Sequence, residues 1–185
     1  MIRSILGFHL DEAGDWVAEM SCFHNRHIRH QPPFREAAWV LSAEGREAHT
    51  GSPIECPLCD RAEFPEGMAL LGNAGPWDQD SLPGGFLQAH RTPEGRWGRL
   101  LVTEGSIDFQ FESETMAPPR TRRLEAGSDQ PIPPGAPHRL QPVGAVRLEL
   151  QFWGRRPSGS VPQTPPPERQ RDRGSGSLPD DRSRG

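Results

Sequence analysis

Cys22, His24, His27 and His30 put one thiol and three imidazoles within nine residues, and the remaining thiols, Cys56 and Cys59, follow as a Cys-x2-Cys turn. Such a turn offers two thiolates from one tight loop. A second pair of ligands from elsewhere in the chain then closes a tetrahedron around Zn²⁺. Cys22 and His24 are two residues apart, which on an extended backbone points both side chains to one side. The expected set is therefore Cys22, His24, Cys56 and Cys59 around a structural Zn²⁺, with His27 the leading substitute for His24 and His30 a further imidazole within reach of a turn. Two other chemistries compete. A dithiol redox pair would need Cys56 at a helix N-terminus, where the dipole lowers its pKa, and residues 60–65 carry no convincing helical pattern. Ordinary buried thiols beside surface histidines are the bland alternative.

The elements that must position these residues read as short strands. Residues 2–9 and 16–22 are β-prone and flank Asp11-Glu12-Ala13-Gly14-Asp15, which predicts a hairpin that brings Cys22 to a strand end. The apolar run 37–41 predicts a third strand. Ser42 is placed to cap one or two helical turns reaching Ala48. Residues 62–75 shift to Glu, Pro and Gly and read as a connector. Beyond them residues 98–102, then Ile107, Phe109 and Phe111, then Leu148, Leu150 and Phe152 follow strand patterns, the last two sets with period two, which predicts a sandwich or small barrel. The stretch from about 156 to 185 has almost no apolar residue and is expected to be a disordered tail.

Composition agrees with a mainly β chain. Hydrophobic residues make up 33%, and 20 Gly with 21 Pro favour turns over long helices. Every one of the 21 basic residues is Arg, and the net charge of −4 gives no general attraction to nucleic acid. Only Arg26, Arg29 and Arg35 form a local basic patch. The apolar start of the chain is too short for a signal sequence, and no apolar run of about 18 residues could span a bilayer. With 3 cysteines there is no disulfide framework, and the expected location is a bacterial-type cytoplasm.

Gly7-Phe8-His9, Gly14-Asp15-Trp16, the Cys-x-His-x2-His-x2-His run, Pro32-Pro33, Trp39-Val40-Leu41, Glu44-Gly45-Arg46 and Cys-Pro-Leu-Cys-Asp together resemble a short bacterial family without assigned activity. That resemblance spans residues 1–61 and implies a compact Cys/His module. His9 is expected to be a packing or turn residue. Gly127-x5-Pro133-x-Gly135-x2-His138 has the spacing of the second metal motif of cupins. Gly84-x5-His90 fits the opening of the first, although Thr92 stands where a second histidine is expected and the motif's glutamate is missing. The wider pattern, from Pro83-Gly84-Gly85-Phe86 through Trp97-Gly98 to Gln151-Phe152-Trp153, resembles the TehB/YeaR-like domain, a cupin-type β-barrel of tellurite-resistance and nitrate-responsive proteins, over residues 76–155. The resemblance implies that His90 and His138 are metal ligands and that Gln151 occupies a position where relatives offer a carboxylate. Glu104 is an alternative oxygen donor.

The chain thus reads as a zinc-stabilised β module (1–61), a connector (62–75), a cupin-like antiparallel β-barrel (76–155) and a disordered tail. The function expected is a metal-binding stress-response protein whose barrel takes a small molecule or oxyanion and a second divalent metal of unspecified identity. Its partners would include neither nucleic acid nor membrane, and a homodimer is compatible. The alternative is a non-haem metal-dependent oxidoreductase on the same barrel, with His90 and His138 holding a metal with open positions.

Overall fold

The computed structural model describes residues 1–33, 35–112 and 120–156. Strands β1 (Ile2–Leu10) and β2 (Trp16–Met20) form the expected hairpin. Asp11 builds its turn, because one carboxylate oxygen accepts from the backbone N–H groups of Ala13 at 2.9 Å and Asp15 at 2.8 Å. β3 (Asn25–His27) follows, and after it Ala38–Leu41 forms a single 3-10 turn where a strand was expected. The inward residues there are Ala37 and Val40, three apart, which suits a three-residue turn and not the two-residue alternation of a strand. Trp39 stacks on His49 at 3.7 Å and meets Phe8 edge-on, fastening this segment to the sheet. Helix α1 (Ala43–His49) begins as expected at Ser42, whose hydroxyl accepts from Gly45 N–H at 3.0 Å. β4 (Pro53–Glu55) completes a sheet of order β3-β2-β1-β4.

Helix α2 (Pro57–Asp60) is one turn long, with Cys56 at its N-cap. Residues 61–65 form no helix, as expected, but the Cys-x2-Cys run itself makes one turn, so Cys56 does stand at a helix N-terminus. Proline in the first turn has its φ already set for helix and has no N–H to leave unpaired. Residues 62–75 are not a free connector either. Phe64 and Met68 pack against the cysteines, and β5 (Ala69–Asp78) is a full strand of the second sheet. The Glu, Pro and Gly around them conceal apolar side chains that gain by burial.

A 3-10 turn at Gly84–Leu87 and the short β6 (His90–Arg91) lead into β7 (Trp97–Phe111), β8 (Arg120–Glu125), β9 (Asp129–Ile132) and β10 (Pro137–Gly154). The sheet order is β5-β10-β7-β8, with β6 on β10 and β9 on β7. β7 and β10 are long and bend together. Along β7 the inward residues switch from Leu100 and Val102 to Ile107 and Phe109, so both halves face one core with Leu140, Leu148 and Leu150 of β10. The switch falls at Gly105, where φ is +69° and a Cβ would lie 1.9 Å from Ala145 O. The result is an antiparallel β-sandwich. The tail expected beyond residue 156 lies outside the described residues. No helix among the described residues is long and apolar enough to cross a membrane.

A second, smaller core joins the two parts. Met20, Cys22, Cys56 and Cys59 pack there with Trp97, flanked by Phe64, Met68 and Trp153. The indole N–H of Trp97 donates to Cys22 O at 2.9 Å, and Trp97 is wholly buried.

Candidate functional site

Cys22 and His24 come from the turn that follows β2. Phe23 N–H donates to Met20 O at 2.8 Å, and Met20 N–H donates to His24 O at 3.0 Å. Phe23 between them has φ 70°, a left-handed conformation uncommon for a bulky residue. The turn, and not an extended chain, is what directs both donors the same way. Cys56 and Cys59 arrive from the N-cap and third residue of α2, on the same side of one helical turn.

The ligand atoms of Cys22, His24, Cys56 and Cys59 all lie within 4.8 Å of one another, and all four residues are buried. His24 Nδ1 is 3.6 Å from Cys22 Sγ, 3.3 Å from Cys56 Sγ and 3.7 Å from Cys59 Sγ, and the Cys22 and Cys56 sulfurs are 3.7 Å apart. Zinc bonds of about 2.3 Å to sulfur and about 2.0–2.1 Å to nitrogen imply tetrahedral edges of about 3.8 Å (S···S) and about 3.6 Å (S···N). These separations are close to those edges, so the donors fit a metal such as zinc in both chemistry and spacing. His24 would bind through Nδ1. Its Nε2 is buried without a hydrogen-bond partner, and Trp97 stands edge-on to the ring.

Charge is shared unevenly within the cluster. Burial opposes a proton on His24, but contact with Cys22 and Cys56 outweighs it and raises the imidazole pKa to about 9. Hydrogen bonding to Cys22 and Cys59 favours the thiolate at Cys56. Cys59 is pushed up by Cys22, by Cys56 and by burial, with the Arg3 guanidinium acting in the opposite sense. Without a cation the site thus keeps protons that a divalent metal would displace.

Arg3 was not foreseen. It is 7% exposed on the inner face of β1; its Nε donates to Cys59 Sγ at 3.3 Å and its Nη1 to Pro134 O at 2.8 Å. The available signal was strand parity, because Arg3 shares its inward face with Ile5 while Ile2 and Ser4 point out.

The other histidines of the first module have separate roles. His27, the expected substitute, sits half-exposed on β3 and contacts Asp11 Oδ2 at 2.8 Å, away from the cysteines. His30 Nδ1 accepts from Ala37 N–H at 3.1 Å, and His9 meets Glu19 at 2.8 Å. Of the basic patch, Arg26 donates to Glu55 O and Arg29 pairs with Asp15.

In the second module His90 and His138 face each other across β6 and β10, with ring centroids 4.1 Å apart. His138 Nδ1 lies 2.8 Å from Ala136 O, and His90 Nδ1 lies 3.0 Å from Gln88 O. A carbonyl only accepts, so both Nδ1 atoms carry the proton and both Nε2 lone pairs are left for another partner. His90 Nε2 is buried and unpartnered. Burial lowers the His138 pKa to about 4, with nearby His90 adding to the effect, so the imidazole is neutral at pH 7. Phe86 lies edge-on to His90 and Phe109 stacks on His138. Gln151 is not with them. The inward residues of this part of β10 are Leu148 and Leu150, and Gln151 points to the other face, where its Oε1 accepts from Trp153 Nε1 at 3.2 Å. Glu104 is exposed at the bend of β7. Among the described residues no third His, Cys, Asp or Glu joins the imidazole pair in a cluster.

Residues 6–63 match a family described as a protein of unknown function (DUF3565), and residues 74–150 match the TehB-like domain. The chain thus carries a region similar to the DUF3565 family followed by a region similar to the TehB-like domain. Among solved structures, TehB from Haemophilus influenzae is similar at 24% identity and TM-score 0.42, over 48% of this chain and 32% of that one. The chain therefore spans about a third of that protein. An Escherichia coli K12 protein matches at 21% identity and TM-score 0.44, over 49% of this chain and 94% of its own. The Drosophila melanogaster CENP-C cupin domain matches at 13% identity and TM-score 0.33, covering 44% of this chain and 56% of that one. No curated protein matches.

Proposed function

We propose that this is a metal-binding stress-response protein in which Cys22, His24, Cys56 and Cys59 hold a structural Zn²⁺ and the TehB-like domain binds a small ligand at His90 and His138. The observation that carries the first half is the set of four buried donors within 4.8 Å of one another, with the His24 separations and the Cys22–Cys56 separation close to the edges of a zinc tetrahedron. Such a site is saturated and has no position for substrate. Cys56 at a helix N-cap would suit dithiol chemistry, but Cys22, Cys56 and Cys59 are at most 1% exposed, out of reach of a protein disulfide, which favours the structural role.

The second half rests on two imidazoles with their Nδ1 atoms pinned to backbone carbonyls, the arrangement that presents Nε2 to a metal or to the hydrogen of a ligand. Phe86 and Phe109 flank the pair with aromatic rings. Tellurite or nitrogen-oxide species are the ligands this reading takes, from the resemblance of residues 76–155 to the TehB/YeaR-like family. The non-haem oxidoreductase reading is weaker, because two imidazoles without a carboxylate make an incomplete facial triad.

Metal content of protein purified without added metal tests both halves. One zinc per chain, lost in Cys56→Ser and retained in His138→Ala, is the expected result. Zinc-free wild-type protein would overturn the structural site. Tellurite and nitrite, titrated with and without Fe²⁺ or Mn²⁺, should shift the His90 and His138 imidazole signals, and unchanged signals under all conditions would remove the ligand-binding reading.

A further inference from the structure

Arg3 is a buried guanidinium whose hydrogen-bond acceptors are Cys59 Sγ, Pro134 O and the Met1 thioether. It has no carboxylate partner among the described residues, and a cation out of water needs an anion beside it. The cysteines supply that anion. Three thiolates and one neutral imidazole around Zn²⁺ leave one net negative charge, which Arg3 balances.

The other arm of the same side chain reaches the second module. Pro134 is fully buried and belongs to the turn that opens β10. Within two residues of it, Ala136 O accepts from His138 Nδ1 at 2.8 Å. The turn also holds the strand that carries His90, since Gly135 N–H donates to Thr92 O at 2.9 Å and Arg91 Nη1 donates to Gly135 O at 2.7 Å. Gly135 itself has φ +66°, so the turn depends on a conformation that favours glycine and has little freedom to adjust elsewhere. Hydrogen bonds from Arg3 to Cys59 Sγ and Pro134 O, the two backbone steps from Pro134 to Ala136, and the hydrogen bond of His138 Nδ1 to Ala136 O therefore connect the cysteine cluster to His138.

We propose that Arg3 is a positioning residue that ties the Cys22/His24/Cys56/Cys59 metal centre to the His90/His138 pair, so that filling the first site with zinc orders the imidazoles of the second. The proposal rests on the zinc reading of the cluster. Its physical basis is the fork of the guanidinium: one edge is held by a thiolate whose charge persists when metal is bound, and the other then holds the Pro134 carbonyl at fixed distance.

The test uses full-length ¹⁵N-labelled protein and imidazole nitrogen spectra of His90 and His138, with zinc stoichiometry and a backbone amide spectrum as controls for loading and folding. Zinc-loaded wild type should show His138 as a single Nδ1–H tautomer. Stripping the zinc, or changing Arg3→Gln with zinc present, should convert it to an averaged tautomer pattern, and Arg3→Gln should weaken zinc tenfold to a hundredfold. Arg3→Lys keeps the charge but not the fork; it should retain more zinc affinity than Arg3→Gln and still lose the His138 signature. It also decides the matter if Arg3→Gln does not fold. A His138 signature unchanged in both variants would overturn the coupling whether or not zinc binds. Zinc-free wild-type protein would instead overturn the metal reading, with the Arg3 variants still deciding whether Arg3 positions His138.

Discussion

The two histidine-bearing sites differ in how much of their coordination the fold completes. At the junction of the modules, four donors converge from two turns and Trp97 seals them, so nothing further can bind once a metal is held. In the sandwich, two imidazoles project paired lone-pair nitrogens from facing strands with aromatic neighbours and no third ligand in the cluster. On the proposed reading, the first is a site that holds structure and the second a site that accepts a ligand.

The largest expected effect comes from breaking the closed site. Cys22→Ser should abolish zinc binding and cost roughly 5 kcal/mol or more, since loss of a structural metal is among the most destabilising single changes. Because Trp97 shares that core, near-ultraviolet circular dichroism should show the tryptophans of the second module loosening too. Independent melting of the two modules would break the idea of a shared junction. Trp97→Ala comes next, at about 3–5 kcal/mol in urea titrations for the lost volume. Trp97→Phe should cost less but strand the Cys22 carbonyl, worth about 1 kcal/mol.

Acid sharpens the comparison at the open site. His138 has a folded pKa of about 4 against an ordinary value of 6.5, so the unfolded chain binds the extra proton. The stabilisation is complete above pH 6.5 and is lost as pH falls from there through about 4, a change on the order of 3 kcal/mol. Urea titrations between pH 7.5 and 4 should show this slope in the wild type, and His138→Phe should lack that share of it while keeping the acid sensitivity of the thiolate cluster. The smallest effects are expected where the sequence suggested ligands that lie elsewhere. His27→Ala should leave zinc content unchanged, and Gln151→Ala should leave ligand shifts at His90 and His138 unchanged, each within about 0.5 kcal/mol of wild-type stability.

Much of this arrangement is legible in residue order. Asp11 to Asp15 announces the hairpin, Ser42 announces its helix, and the alternation around Ile107 and Leu148 announces the strands, because each depends on local stereochemistry or period. Gln151 misled because its register looked like a ligand position, whereas facing is decided by the bends of β7 and β10 around Gly105. The run 37–41 misled because apolar content alone does not separate a strand from a short turn that buries every third residue.

The amino-acid sequence by itself determined which donors exist, that Cys56 and Cys59 share one turn, and that His90 and His138 each stand beside a Pro/Gly-marked turn. Those are properties of neighbouring residues. Tertiary structure alone decided that His24 and not His27 faces the thiols, that Trp97 closes their site, and that Arg3 spans from Cys59 to the turn before His138. Each of these joins segments dozens of residues apart, and the need to bury a guanidinium only beside an anion becomes visible once folding has brought them together.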